Sequence, residues 1–138
     1  ELLRLNAGQP QRVLDRKPLQ GLEAGEQLVG IDFRVSRGVL FALGSSGRLY
    51  TLDTASARLS RVGTQSVALQ GRRFAFDFNP VVDRIRVMSD SGQNLRLHPE
   101  TGAVAASDPA PANHDQAWEG SMLVQNRVRK AVLWRRRN

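Results

Sequence analysis

The sequence predicts an all-β protein made of propeller-like antiparallel β-meander repeats of about 45 residues, present as an incomplete array. Three observations predict it. Shifted by 45 positions, residues 28–63 match residues 73–108 without a gap, so that Asp32-Phe33 falls on Asp77-Phe78, Ser46-Gly47 on Ser91-Gly92 and Leu52 on Leu97. Apolar character coincides as well, at Val29/Phe74, Ile31/Phe76, Leu40/Ile85, Ala42/Val87, Leu43/Met88, Tyr50/Leu95 and Leu59/Val104. Each repeat also divides into four short apolar or alternating runs separated by Gly-, Asp- and Ser-rich turns, as an antiparallel four-stranded unit should.

The elements follow in order. Leu2, Leu3 and Leu5 before Asn6-Ala7-Gly8 resemble Leu49, Tyr50 and Leu52 before Asp53-Thr54-Ala55, so the chain opens on the back half of an earlier repeat. In the first full repeat Val29, Ile31 and Phe33 alternate, which places three apolar groups on one strand face. Ser36-Arg37-Gly38 turns into residues 39–43, a nearly continuous apolar run expected to be covered on both faces. Gly44-Ser45-Ser46-Gly47 is a hairpin connection, residues 49–52 a third strand, Asp53-Thr54-Ala55-Ser56 a turn and residues 58–62 a weaker fourth strand. The second repeat runs in parallel. Phe74, Phe76 and Phe78 share a face, Asn79-Pro80 begins the turn, and Ile85 and Val87 alternate with Arg84 and Arg86. Asp90-Ser91-Gly92 turns again, Leu95 and Leu97 flank Arg96, and residues 103–106 follow the Pro99-Glu100-Thr101-Gly102 turn. Asp108-Pro109-Ala110-Pro111 breaks the pattern, because proline donates nothing to a strand ladder. The expected division is therefore a partial β-repeat domain over residues 1–108 and an irregular linker with a basic tail over residues 109–138. Val128, Ala131 and Val132 permit either a short basic helix or a frayed end.

Composition excludes several classes. With no cysteine there are no disulfides, thiolate metal sites or cysteine nucleophiles. No apolar run reaches the roughly 18–20 residues that cross a bilayer as a helix. The formal net charge is +7, but residues 127–138 carry six basic residues and no acid, which leaves the repeats almost balanced. Specific nucleic-acid binding by the repeats is not expected. Contact with anionic lipid or nucleic acid would belong to Trp134-Arg135-Arg136-Arg137, and the plainer reading of that run is a solvated end.

The candidate ligand-binding residues are Asp32, Asp77, Asp83, Arg84 and Arg86. Asp32 and Asp77 recur mid-strand, opposite their apolar neighbours. They suit either a cation-binding carboxylate row or acceptors for backbone N–H groups of a neighbouring turn. Arg84 and Arg86 share one strand face and would meet an anionic ligand, or else pair with Asp83 and Asp90. His98 and His114 stand 16 positions apart with few acids nearby, and His98 takes the place of Asp53 at a turn. No metal site, cofactor or catalytic residue is expected; the serines lack a nucleophile elbow, and Gly44-Ser45-Ser46-Gly47 lacks the Lys-Ser/Thr of a phosphate loop.

Longer stretches carry a family resemblance. Gly30-Ile31-Asp32-Phe33, Leu40-Phe41-Ala42-Leu43-Gly44-Ser45 and Gly47-Arg48-Leu49-Tyr50-Thr51-Leu52-Asp53 resemble the bacterial family called domain of unknown function 4394. So do Phe76-Asp77-Phe78-Asn79-Pro80, Asp83-Arg84-Ile85-Arg86-Val87 and Gly92-Gln93-Asn94-Leu95-Arg96-Leu97. The resemblance spans Glu1 to about Asp108. It implies a propeller-like repeated β fold, often exported or envelope-associated, and carries over no catalytic or binding residue. A family member would continue with further repeats after Pro109, so a truncated member is expected.

Three functions follow from these features. The first is a non-enzymatic, secreted or envelope binding scaffold. The second is an enzyme or a cation- or anion-binding propeller with the five Asp and Arg candidates around a shared funnel. The third is a nucleic-acid or membrane-surface binder acting through the tail. An incomplete array also leaves open strand edges and an apolar flank at each end, so self-association is expected.

Overall fold

The structure is a computed structural model describing residues 1–6 and 8–110. Those residues form ten strands and no helix: β1 Leu2–Asn6, β2 Gln9–Lys17, β3 Leu28–Arg34, β4 Val39–Gly44, β5 Arg48–Asp53, β6 Arg58–Ser66, β7 Phe74–Asn79, β8 Arg84–Ser89, β9 Asn94–Leu97 and β10 Val104–Ser107. They pair antiparallel in three sheets. β1 and β2 make a two-stranded ribbon; β3-β4-β5-β6 form sheet I and β7-β8-β9-β10 form sheet II. Both four-stranded sheets are simple meanders of the same strand order. β8 begins and ends 45 residues after β4.

The backbone repeats as faithfully as the strands. Left-handed φ values recur 45 residues apart at Gly38 (64°) and Asp83 (50°), Gly47 (79°) and Gly92 (86°), and Ala57 (58°) and Gly102 (72°). Turn hydrogen bonds recur too. The Gln27 N–H donates to Ser45 Oγ (3.1 Å), and the Arg72 N–H donates to Asp90 Oδ1 (2.8 Å) at the matching place. Asp53 Oδ1 accepts from the Ala55 N–H (2.7 Å); His98 Nδ1, its counterpart, accepts from the Glu100 N–H (3.2 Å). A histidine thus performs the turn-capping task of an aspartate, which accounts for it without metal chemistry.

Strand alternation gives each sheet two faces, and the sheets stack in a constant sense. The leading face of sheet I (Phe41, Leu43, Leu49) shares one core with Phe76, Phe78, Ile85, Val87, Leu95 and Leu97 on the trailing face of sheet II. Phe41 and Phe78 meet edge to face, centroids 5.1 Å apart. The trailing face of sheet I (Leu40, Ala42, Tyr50, Leu52, Leu59) forms a second core with Leu2, Leu19 and Leu22 from the N-terminal segment. β4 is therefore buried from Leu40 to Gly44, as its continuous apolar run requires. At about 1.5–3 kcal/mol for each large buried side chain, these two cores supply the main driving force for folding.

Two features depart from the sequence reading. β2 has no counterpart in it: the strand is polar, mostly exposed and begins with Gln9-Pro10, so no alternation announces it, and it survives as the outer member of a ribbon. The leading face of sheet II is also not the apolar flank expected. In the places of Phe41, Leu43 and Leu49 it carries Arg86, Met88 and Asn94, and Asp77, Arg86 and Arg96 stand side by side across β7, β8 and β9.

Candidate functional site

The first strands of the two sheets, β3 and β7, approach so closely that a Cβ on Gly30 would strike the Phe76 side chain. This approach brings Asp32 to the joint. Asp32 Oδ1 accepts the N–H of Phe33 in its own sheet (2.8 Å), and Oδ2 accepts the N–H of Phe78 in sheet II (2.8 Å). Asp77 lies beside it, close enough for the two carboxyls to act on each other. Burial pushes Asp32 above the ordinary carboxylate range, although the two N–H groups and the Asp77 contact draw it partly back. Burial also raises Asp77, and the charge of Asp32 raises it further against the pull of Arg86.

At another part of the same joint, Arg34 is buried with 6% of its side chain exposed. Its guanidinium grips Asp83 in bidentate fashion (Nε to Oδ1, 2.9 Å) and reaches Glu100 Oε1 at 2.6 Å. Hydrogen bonds from Arg34 hold both carboxylates below their ordinary values. Arg34 belongs to β3, while Asp83 and Glu100 sit in turns of sheet II, so this triad is a second clamp between sheets.

The five candidates thus divide. Asp32 and Asp77 come together, with Arg86 close enough to act on Asp77. Asp83 joins Arg34 instead, and Arg84 donates to the carbonyls of Val82 (3.5 Å) and Asp83 (3.0 Å). The ion pairing expected of the arginines is also redistributed. Arg86 and Arg96 both contact Asp108, which their charges hold low; Asp90 instead caps the Arg72 and Arg73 N–H groups. Among the described residues no three His, Asp or Glu side chains gather as a ligand set for a metal. His114, both tryptophans and the arginine tail lie outside the described residues.

Sequence reasoning missed Arg34, Glu100, Asp108 and Glu26. Glu26 is buried under the Gly44–Gly47 hairpin, accepting from the Tyr50 hydroxyl (2.5 Å) and from Ser46. Burial pushes Glu26 up, but those hydrogen bonds outweigh it; burial and the carboxylate together push Tyr50 to about 12. A local signal existed only for Arg34, which shares the even-numbered face of β3 with Asp32. Its partners stand 49 and 66 residues away.

Fold and joints together define a class: a repeated antiparallel β protein whose polar residues knit successive sheets. The family model for the domain of unknown function DUF4394 matches residues 1–124, and the chain belongs to that family. The match runs past Asp108, where the recognisable motifs end. No curated protein and no solved structure matches the chain. Among the described residues no helix is long and apolar enough to cross a membrane.

Proposed function

We propose that the chain is a non-enzymatic, propeller-like β-repeat scaffold of a bacterial envelope or secreted protein, offering sheet edges and loops to a binding partner. One observation carries this reading: Asp32, Arg34, Asp83 and Glu100 are spent on holding sheet to sheet. Both Asp32 oxygens accept backbone N–H groups, and Asp83 and Glu100 are taken up by buried Arg34. The shared leading-to-trailing sense of stacking supports the propeller-like arrangement, and the family resemblance supports export.

The Asp32–Asp77 pair beside Arg86 favours one rival, a cation-binding site at β3 and β7. Thermal melts at neutral pH separate the two. A ligand at 100 times its Kd adds about 2.7 kcal/mol, a shift of several degrees. The scaffold reading expects neither Ca²⁺ nor inorganic phosphate to move the transition. A Ca²⁺-dependent rise that disappears in Asp77→Asn would transfer the assignment to the binding-site reading.

A further inference from the structure

Strand-connecting turns draw mostly on Gly, Pro, Asn, Asp and Ser, and valine brings a turn neither conformational freedom nor a hydrogen-bonding group. Yet residues 35–38 and 80–83, which join the first and second strands of sheets I and II, hold Val35, Val81 and Val82 beside Pro80. Val81 is 89% exposed and Val35 73%, more than any other large apolar side chain among the described residues. Val82 is half exposed as well. The fold does not need these valines for its cores.

The two turns are neighbours. Arg34 immediately precedes Val35, Asp83 immediately follows Val82, and the bidentate ion pair ties those two residues together. The valines therefore project from the same end of the stacked sheets as one apolar patch, not as scattered residues. The surrounding charges are settled in a way that bears on what can approach. Arg34 takes up Asp83 and Glu100, and Arg37, mostly exposed, lies 3.9 Å from Glu100. Arg84 folds back on the carbonyls of Val82 and Asp83, which keeps its charge beside the tips. Three arginines thus meet two carboxylates. Both carboxylates are neutralised and one positive charge is left in surplus.

We propose that these turn tips seat the protein on the surface of an anionic bilayer, with Val35, Val81 and Val82 entering the boundary between headgroups and acyl chains. Arg37 and Arg84 then lie at headgroup level. Hydrocarbon rewards buried apolar area and asks for no matching shape or hydrogen bond, which is what valine tips can supply. Arginine stems cover apolar surface while their heads stay among phosphates. A protein partner suits the patch less. Binding hot spots draw on aromatic anchors seated in packed pockets and under-represent valine, and projecting turns enclose no pocket. This inference rests on the scaffold reading above and names its partner.

Sedimentation of the full chain with vesicles tests it, one set of phosphatidylcholine mixed with phosphatidylglycerol and one of phosphatidylcholine alone. The wild-type chain should partition onto the anionic vesicles and more weakly onto the neutral ones. Val81→Ser should weaken partitioning about tenfold, the worth of one valine side chain withdrawn from hydrocarbon. Val81→Leu, which adds one CH₂, should strengthen it about fourfold. Arg37→Gln should narrow the difference between the two lipids. Both positions are exposed, so thermal melts of the three variants should match wild type. Wild-type partitioning by Val81→Ser would overturn the proposal by assigning attachment to another part of the chain. Failure of the wild type to sediment with either vesicle would overturn it as well. Self-association in light scattering that Val81→Ser abolishes, without vesicle binding, would give the patch to a second copy instead. The melts with Ca²⁺ and phosphate report on the scaffold reading without any lipid, so failure of that reading remains distinguishable from failure of this one.

Discussion

Asp32 and Asp77 stand at the same place in successive repeats, yet substitution should affect them in opposite ways. Asp32→Asn keeps the size but replaces one acceptor oxygen by an NH₂ facing a backbone N–H, and should cost about 1–3 kcal/mol in urea unfolding. Asp77→Asn removes a carboxyl that burial and the repulsion from Asp32 make costly to ionise. Because the folded chain holds the Asp77 proton more tightly than the unfolded chain, that stability is full below the ordinary value of 3.8 and lost as pH rises through the raised value. Asp77→Asn should therefore raise the neutral-pH Tm relative to wild type, with the gain shrinking towards pH 3.8. A gain that grows on acidification would show the sign to be wrong. The sequence revealed that these two aspartates are equivalent. It did not reveal that one is fully occupied by N–H groups while the other faces a charged row, because the difference lies in what each sheet packs against.

At the scale of elements, the turn between the first and second strands is made twice with different chemistry. Gly38 adopts φ 64° freely, whereas Asp83 adopts φ 50° while its carboxylate binds Arg34. Asp83→Gly should lose the ion pair alone; Asp83→Ala should lose the pair and retain the strained backbone, leaving it about 1 kcal/mol less stable than Asp83→Gly. Equal stabilities by chemical denaturation would mean that the turn stores no strain. The β3–β7 contact offers a sharper probe. A methyl at Gly30 points into Phe76, so Gly30→Ala should cost roughly 1–3 kcal/mol by forcing β3 and β7 apart. Strand positions were legible because period-2 alternation and turn residues are local. β2 was not, since an exposed polar strand carries no apolar stripe.

The whole molecule responds to pH through two opposing sets of carboxyls. Hydrogen bonds and arginine charges hold Asp53, Asp83, Asp90, Glu100 and Asp108 low. Their stabilisation is present above the ordinary values of 3.8 and 4.5 and is lost as pH falls through the lowered ones. Asp32 and Asp77 act oppositely and above 3.8. Denaturation midpoints should accordingly fall steeply below pH 4 and decline gently towards neutrality, the gentle limb flattening in Asp77→Asn. Stability that stays level through acid would show the clamps between sheets to be energetically idle.

By itself the sequence determined the all-β class, the 45-residue unit, the turns and the family, because each is written in spacing that one stretch of chain displays alone. It also marked Asp32, Asp77 and Arg86 as residues worth watching. Only the tertiary structure decided their roles. Which face of a strand meets which sheet, and which carboxylate meets Arg34, depend on stacking between segments 49 to 66 residues apart. Repeat periodicity specifies the unit and its phase, but the partners of a buried charge are chosen by neighbours that the local sequence does not name.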